Sequence, residues 1–84
     1  MTTEDRLRDL IARELGIGPD QVQLDAKLRE DLHADAIDII GLSLAIEDEF
    51  DIRMTDDEVE AATTVRAYGL LIDQHHAGAA APAG

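Results

Sequence analysis

The side chains able to do chemistry in this sequence are mostly carboxylates, and they are crowded into one segment. Residues 30–60 hold twelve acidic side chains and one basic side chain, Arg53. His33 lies between Asp31 and Asp35, but acid–base catalysis also needs a nucleophile or an orienting group in a pocket, and no such pattern accompanies it. This cluster is interpreted as loop surface, and the protein is not expected to be an enzyme.

Metal and thiol chemistry are disfavoured by the residue types. The 84 residues include no cysteine, which removes disulfides, thiolate metal sites and thiol nucleophiles, and which suits a cytoplasmic location. The carboxylates do not have the spacing of a calcium-binding loop, with its central glycine and terminal glutamate. His75 and His76 are adjacent and have no further donors beside them. The sequence therefore predicts no metal site.

The net charge of −12 restricts the partners. A strongly acidic surface repels phosphate backbones and anionic lipid, so no nucleic-acid or membrane binding is expected. No signal peptide and no membrane-length apolar run is found in the sequence. Basic protein surfaces are the favoured partners of a chain that is expected to be a monomer.

Apolar spacing and capping residues predict an all-α fold, a small four-helix bundle with a long loop between the first and second helices and a short third helix. Thr2 and Asp5 have the spacing of a helix N-cap, and Gly16 ends the first amphipathic pattern. Residues 17–34 show no sustained period and are predicted to form the long loop. The helical domain is predicted to span residues 1–74.

The two C-terminal helices are indicated by threonines. Thr55 and Glu58 have capping-box spacing ahead of a short segment, and Thr63 or Thr64 precedes the last helical pattern. Residues 75–84 contain alanine, glycine and proline without bulky apolar side chains, and this tail is predicted to be disordered.

The helix predicted over residues 36–50, capped by Asp35, has two apolar stripes on opposite faces. The core stripe consists of Ile39, Leu42, Ile46 and Phe50. The second stripe consists of Ile37, Gly41, Leu44 and Asp48, and it needs either a covering helix or an external partner. Acidic residues also occupy the last turn, where the helix dipole disfavours anions, so stability alone would not select them. Steering towards a basic partner is the alternative explanation.

Two segments resemble the acyl carrier protein family: DLHADAID over residues 31–38 and AIEDEFDI over residues 45–52. The similarity extends over about residues 4–73, including the first helix and the Thr63-Thr64-Val65 start of the last. It implies a four-helix protein whose serine at the start of the second helix receives 4'-phosphopantetheine from coenzyme A. The thiol of that arm carries acyl groups as thioesters in fatty acid, lipid or polyketide synthesis.

The resemblance also implies site residues and partners. The attachment motif corresponds to Asp35, Ala36, Ile37 and Asp38, with Ala36 at the serine position. The implied partners are a phosphopantetheinyl transferase and acyl-processing synthase enzymes with basic surfaces. Their contacts are predicted at Ile37, Asp38, Gly41, Leu44, Ala45, Glu47 and Asp48.

Ala36 departs from the family pattern because its side chain has no oxygen to accept the phosphate of the arm. Ser43, the only serine, is predicted to lie inside the helix and to bond to the helix backbone. Two explanations fit Ala36: a serine was replaced to keep a carrier unmodified, or a natural relative lost the chemistry. The sequence predicts a carrier protein held in its apo form, with a non-carrier module that docks basic enzymes as the alternative.

Overall fold

The computed structural model describes the backbone of residues 2–83 and the side chains of residues 2–75. It contains four α-helices and confirms the predicted all-α fold with a long first loop and a short third helix. The helices are α1 (Thr3–Leu15), α2 (Ala36–Phe50), α3 (Asp56–Ala61) and α4 (Val65–Ala83). The loop between α1 and α2 contains one 3₁₀ helix, Pro19–Gln21.

Side chains cap the first three helices as the sequence predicts. In α1 the Thr2 hydroxyl accepts a hydrogen bond from the Asp5 backbone N–H at 3.1 Å, and the Asp5 carboxylate accepts from the Thr2 N–H. The bond from the Thr2 N–H is the main reason that the pKa of Asp5 lies below its usual value. Reciprocal caps of this kind satisfy N–H groups that have no acceptor within the helix.

Helices α1 and α2 each end at a residue with a positive φ angle. Gly16 closes α1 with φ 69° and Asp51 closes α2 with φ 54°. Glycine adopts this left-handed conformation without steric cost, and aspartate tolerates it better than most residues. His33, in the loop just before α2, has φ 60° and carries a side chain where glycine is favoured.

The core is aliphatic apart from one phenylalanine and one tyrosine. Its largest fully buried members come from α1, α2, α4 and the long loop, so no helix pair forms the core alone. They are Leu7, Ile11, Val22, Leu28, Leu42, Ile46, Val65, Tyr68 and Ile72. Burial of each such side chain contributes about 1.5–3 kcal/mol of transfer free energy.

Backbone hydrogen bonds tie the long loop to the start of α4. The Val65 N–H donates to the Ala26 carbonyl at 3.1 Å, and the Leu28 N–H donates to the Thr63 carbonyl at 3.0 Å. The Arg8 side chain of α1 donates to the Val22 carbonyl at 2.7 Å. The loop is therefore an ordered part of the fold, and it positions the residues that precede α2.

Helix α4 extends past residue 74, where the sequence predicts the helical domain to end. The backbone is helical through Ala83, and the His75 side chain is partly buried against Glu58 of α3. The tail predicted to be disordered is residues 75–84. The side chains of residues 76–84 lie outside the described part of the chain.

Candidate functional site

The site is built at the N-terminus of α2. The Asp35 carboxylate accepts a hydrogen bond from the Asp38 N–H at 2.8 Å, and the Asp38 carboxylate accepts from the Asp35 N–H at 3.2 Å. Ala36, the first residue of α2, is exposed. This geometry presents the residue 36 side chain to solvent at the positive end of the helix, where free N–H groups favour an anion such as a phosphodiester.

A groove begins beside Ala36 and runs between α2, α3 and the end of the long loop. Its volume is about 660 Å³. Apolar side chains from all three parts line it, including Leu28, Ile39, Met54 and Val59. The groove therefore presents apolar surface next to the residue 36 position, with charged side chains such as Lys27 and Glu60 also lining it.

Three large apolar side chains of α2 are exposed, and we call them the apolar patch: Ile37 (78% exposed), Ile40 (61%) and Leu44 (62%). The helices of the described chain therefore do not cover the second stripe of α2. The sequence interpretation omitted Ile40, although its spacing of three residues from Ile37 and four from Leu44 is the signal of a shared helix face.

The other predicted contact residues of α2 lie at different depths. Asp38 is exposed, and Ala45 is partly buried against the core. Gly41 lies beside the patch, and a Cβ added there would meet no atom within 4 Å. Packing within the described chain therefore does not require glycine at this position.

The acidic residues in the last turn of α2 differ in their surroundings. Glu47 accepts a hydrogen bond from the Met54 N–H at 2.8 Å, and Glu49 forms an ion pair with Arg6 at 3.0 Å. The Asp48 carboxylate is exposed and has no hydrogen bond or ion pair with residues 2–75. Glu47 and Glu49 therefore have donors within the described part of the chain, whereas Asp48 has none there, and the interpretation that stability alone would not select acids in this turn stays a prediction.

Ser43 lies on the buried side of α2, at the wall of the groove. It is 8% exposed, and its hydroxyl donates to the Ile39 carbonyl at 2.8 Å, as the sequence predicts. Tyr68 of α4 is fully buried, and its hydroxyl has no hydrogen-bond partner among the described residues. Burial raises the pKa of Tyr68 above its usual 10.0, and the neighbouring Ser43 side chain opposes part of that rise. The sequence analysis missed this hydroxyl because helical spacing places Tyr68 in the core without specifying its partner.

Helix α3, which forms one wall of the groove, is attached to α4 by a polar contact. The Nε2 atom of His75 lies 3.2 Å from both carboxylate oxygens of Glu58. The same carboxylate accepts a hydrogen bond from the Thr55 N–H at 2.9 Å. The bond from Thr55, followed by the contact with His75, lowers the pKa of Glu58 below its usual value.

Neither a metal-binding cluster nor a membrane-spanning helix is found among the described residues. No group of three or more histidine or acidic side chains is arranged to hold a metal ion in this part of the chain. Within the same residues, none of the helices combines the length and apolar character of a membrane span.

Comparison with known proteins identifies similar sequences and folds. The family model described as "Phosphopantetheine attachment site" matches residues 5–72. The acyl carrier protein of Sulfurovum sp. (strain NBC37-1) is 40% identical over 65 residues, which cover 77% of this chain and 87% of the relative. The acyl carrier protein of Zymomonas mobilis subsp. mobilis (strain ATCC 31821 / ZM4 / CP4) is 40% identical over 75 residues, which cover 89% and 96% of the two chains.

A solved structure supports the same assignment. The acyl carrier protein of Enterococcus faecalis superposes with a TM-score of 0.74 at 29% sequence identity. The match covers 87% of this chain and 92% of that protein. The family model and the solved structure therefore agree on nearly the whole helical region.

Proposed function

The chain belongs to the acyl carrier protein family, and on that premise we propose that it is a carrier domain held in the unmodified form by Ala36. Members of the family are carriers and not enzymes, and their group is 4'-phosphopantetheine, which supplies the thiol that holds acyl groups. The residues present do not fit attachment of this group, because the first residue of α2 has only a methyl side chain. The observation that carries the proposal is this exposed alanine inside an intact Asp35–Asp38 cap.

The loss of a hydroxyl at position 36 leaves the rest of the site in place. Ala36 is exposed, and the cap uses only the side chains of Asp35 and Asp38 with their own backbone groups. A hydroxyl at residue 36 is therefore not needed for the fold, and restoring one is expected to restore the attachment chemistry.

The proposed partners are a phosphopantetheinyl transferase and acyl-processing synthase enzymes of fatty acid, lipid or polyketide synthesis. The apolar patch of Ile37, Ile40 and Leu44 offers burial to such a partner, and Asp48 at its edge offers an exposed negative charge. Complementary basic surfaces gain association rate and orientation from this arrangement. We further propose that the domain acts as a monomer.

The proposed function is tested by restoring the hydroxyl. The Ala36→Ser variant, incubated with coenzyme A and a phosphopantetheinyl transferase, is expected to gain the mass of one arm. The unaltered chain is expected to gain none, because Ser43 is buried and donates to the Ile39 carbonyl. The double variant Ala36→Ser/Ser43→Ala is the matched control and is expected to be modified as fully as the single variant.

Two results would overturn the proposal. A folded Ala36→Ser variant that several transferases leave unmodified would show that the chain has lost the carrier surface. Modification of the unaltered chain would show that another hydroxyl accepts the arm, so that Ala36 does not hold the protein in the apo form. Circular dichroism of each variant establishes that the helices are intact before the masses are compared.

A further inference from the structure

Gly41 lies in the interior of α2, where glycine is a poor residue for stability. Compared with alanine, a glycine in the middle of a helix makes the unfolding equilibrium constant about two- to fivefold larger. The backbone at Gly41 is helical, so this position does not need the left-handed conformation that favours glycine. A Cβ added there would meet no atom within 4 Å. Neither conformation nor packing within the described chain requires glycine here, and the missing side chain calls for another explanation.

The apolar patch surrounds this glycine. Gly41 follows Ile37 by four residues and precedes Leu44 by three, so the three residues share one face of α2. Ile40 is the residue before Gly41, and all three members of the patch are 61–78% exposed. Gly41 is therefore a gap between bulky apolar side chains, and a molecule seated on the patch can reach the helix backbone through it.

A gap of this shape fits another helix. The distance between two packed helix axes is about 8–10 Å and depends on the side chains at the point of contact, so a glycine at that point permits the closest approach. The neighbouring side chains of Ile37 and Leu44 would then pack on either side of the crossing helix. A methyl group at residue 41 would hold the two backbones apart.

The charges around the patch decide which helix fits. Asp38 and Asp48 are exposed, and residues 30–60 hold twelve acidic side chains against one basic side chain. A second copy of this chain seated on the patch would place acidic residues against acidic residues, which disfavours a dimer through this face. A helix whose apolar face is bordered by lysine and arginine is attracted instead.

Among the proposed partners, the phosphopantetheinyl transferase is the one that must reach this part of α2. It acts on residue 36, and Gly41 lies five residues further along the helix, about 7.5 Å at the rise of an α-helix. A transferase that contacts residue 36 with a helix of its own therefore covers the gap as well.

We propose that Gly41 is a specificity-determining residue at which a helix of the phosphopantetheinyl transferase crosses α2 in close contact. The apolar face of that helix covers the patch, and its basic border faces Asp38 and Asp48. The inference rests on the carrier function proposed above, because it takes the transferase as the partner. No covalent bond is made or broken in the contact.

The test is the Gly41→Ala variant, with affinity for the transferase measured by calorimetry in the presence of coenzyme A. The chain cannot react at residue 36, because alanine has no hydroxyl, so binding is measured without turnover. Gly41→Ala is expected to bind about five- to tenfold more weakly, the cost of one methyl group forced into a packed contact. Its unfolding equilibrium constant is expected to fall about two- to fivefold. A variant that is more stable and binds less well cannot owe its weaker binding to damage of the fold.

The Gly69→Ala variant is the matched control. It makes the same change in α4, where the added Cβ would lie 3.8 Å from Leu7 Cδ2, an ordinary contact. It is expected to bind the transferase within about twofold of the unaltered chain. The loss in Gly41→Ala is also expected to be the same at about 50 and about 300 mM salt, because no charge is changed.

Any of three results would overturn the inference: unchanged or tighter binding by Gly41→Ala, equal weakening by Gly69→Ala, or no binding of the unaltered chain. The mass test of Ala36→Ser keeps Gly41 in place and reports separately on the carrier function. An Ala36→Ser variant that accepts the arm beside an unchanged affinity of Gly41→Ala overturns the inference alone. An unmodified Ala36→Ser variant beside a clear loss in Gly41→Ala overturns the carrier function alone.

Discussion

The carboxylate of Glu47 in α2 accepts a hydrogen bond from the backbone N–H of Met54 at 2.8 Å. This bond fixes the segment between α2 and α3 against the last turn of α2, and so helps to place the wall of the groove. Glu47 is partly buried, whereas Asp48, the next residue, is exposed. Two adjacent acidic residues therefore differ in role, one holding the fold and the other facing solvent.

This difference predicts unequal effects of two matched substitutions. Glu47→Ala is expected to lower the free energy of unfolding by about 1–2 kcal/mol, because it leaves the Met54 N–H without its charged acceptor. Asp48→Ala is expected to raise the free energy of unfolding by at most about 0.5 kcal/mol, because it removes an anion from the negative end of the helix dipole. Urea unfolding of both variants measures the two values. Equal losses would show that the Met54 bond contributes nothing.

The sequence predicted the helix starts, because capping residues lie close to one another along the chain. The caps of Thr2, Asp35 and Thr55 gave the starts of three helices, because a capping box is determined by residues three positions apart. The partners of Glu47 and Glu49 could not be predicted in this way. Glu49 pairs with Arg6 of α1, 43 positions away in the chain, and the distance between such residues depends on how the helices pack.

The candidate site was predictable to a similar extent. Ala36 and its cap follow from adjacent residues, and the exposed second stripe of α2 follows from helical spacing. The depth of Ser43 and the burial of the Tyr68 hydroxyl, which has no partner among the described residues, depend on how the helices pack into one core. Spacing along one helix does not determine which polar atoms meet between two helices, so hydrogen-bond satisfaction in the core required the structure.

The Tyr68 hydroxyl, which has no hydrogen-bond partner among residues 2–75, predicts that Tyr68→Phe stabilises the protein. Removing an oxygen that is buried without a hydrogen bond, while the ring stays in place, is expected to raise the free energy of unfolding by about 1 kcal/mol. The measurement is the urea midpoint at an unchanged slope of unfolding free energy against urea concentration. A loss of stability in Tyr68→Phe would show that the hydroxyl is hydrogen-bonded in the folded protein.

The left-handed backbone at His33 predicts another stabilising substitution. With φ at 60°, a side chain at this position costs about 1–2 kcal/mol, which glycine avoids while losing more backbone entropy on folding. His33→Gly is expected to raise the free energy of unfolding by about 0.5–1 kcal/mol. His33→Ala is the control, since it removes the imidazole and keeps the Cβ. A thermal melt in which both variants gain equally would assign the effect to the imidazole.

Stability is expected to depend on pH through Glu58. Its pKa in the folded protein lies below the usual 4.5, chiefly because the Thr55 N–H donates to the carboxylate. A lowered pKa means that the ionised form stabilises the fold above about pH 4.5, and that this contribution is lost as the pH falls through the folded-state value. The free energy of unfolding should therefore decline on acidification.

The Glu58→Gln variant measures this contribution. Its loss of stability between about pH 6 and pH 3 is expected to be smaller than that of the unaltered chain, because glutamine does not titrate. Glu60→Gln on the same helix is the matched control, since Glu60 has no hydrogen bond or ion pair with the described residues. Identical pH profiles for Glu58→Gln and the unaltered chain would contradict the assigned role.

The proposed docking surface predicts that binding to a partner enzyme depends on where an acidic residue lies and not only on the net charge of the protein. Asp48 at the edge of the apolar patch and Asp73 on α4 are both exposed, so reversal of either changes the net charge equally. Asp48→Lys is expected to weaken binding to a phosphopantetheinyl transferase about tenfold at low salt, because it opposes the basic surface at the contact. Asp73→Lys is expected to stay within about twofold. Calorimetry at two salt concentrations separates the cases, and equal weakening would show that the partner responds only to the overall charge.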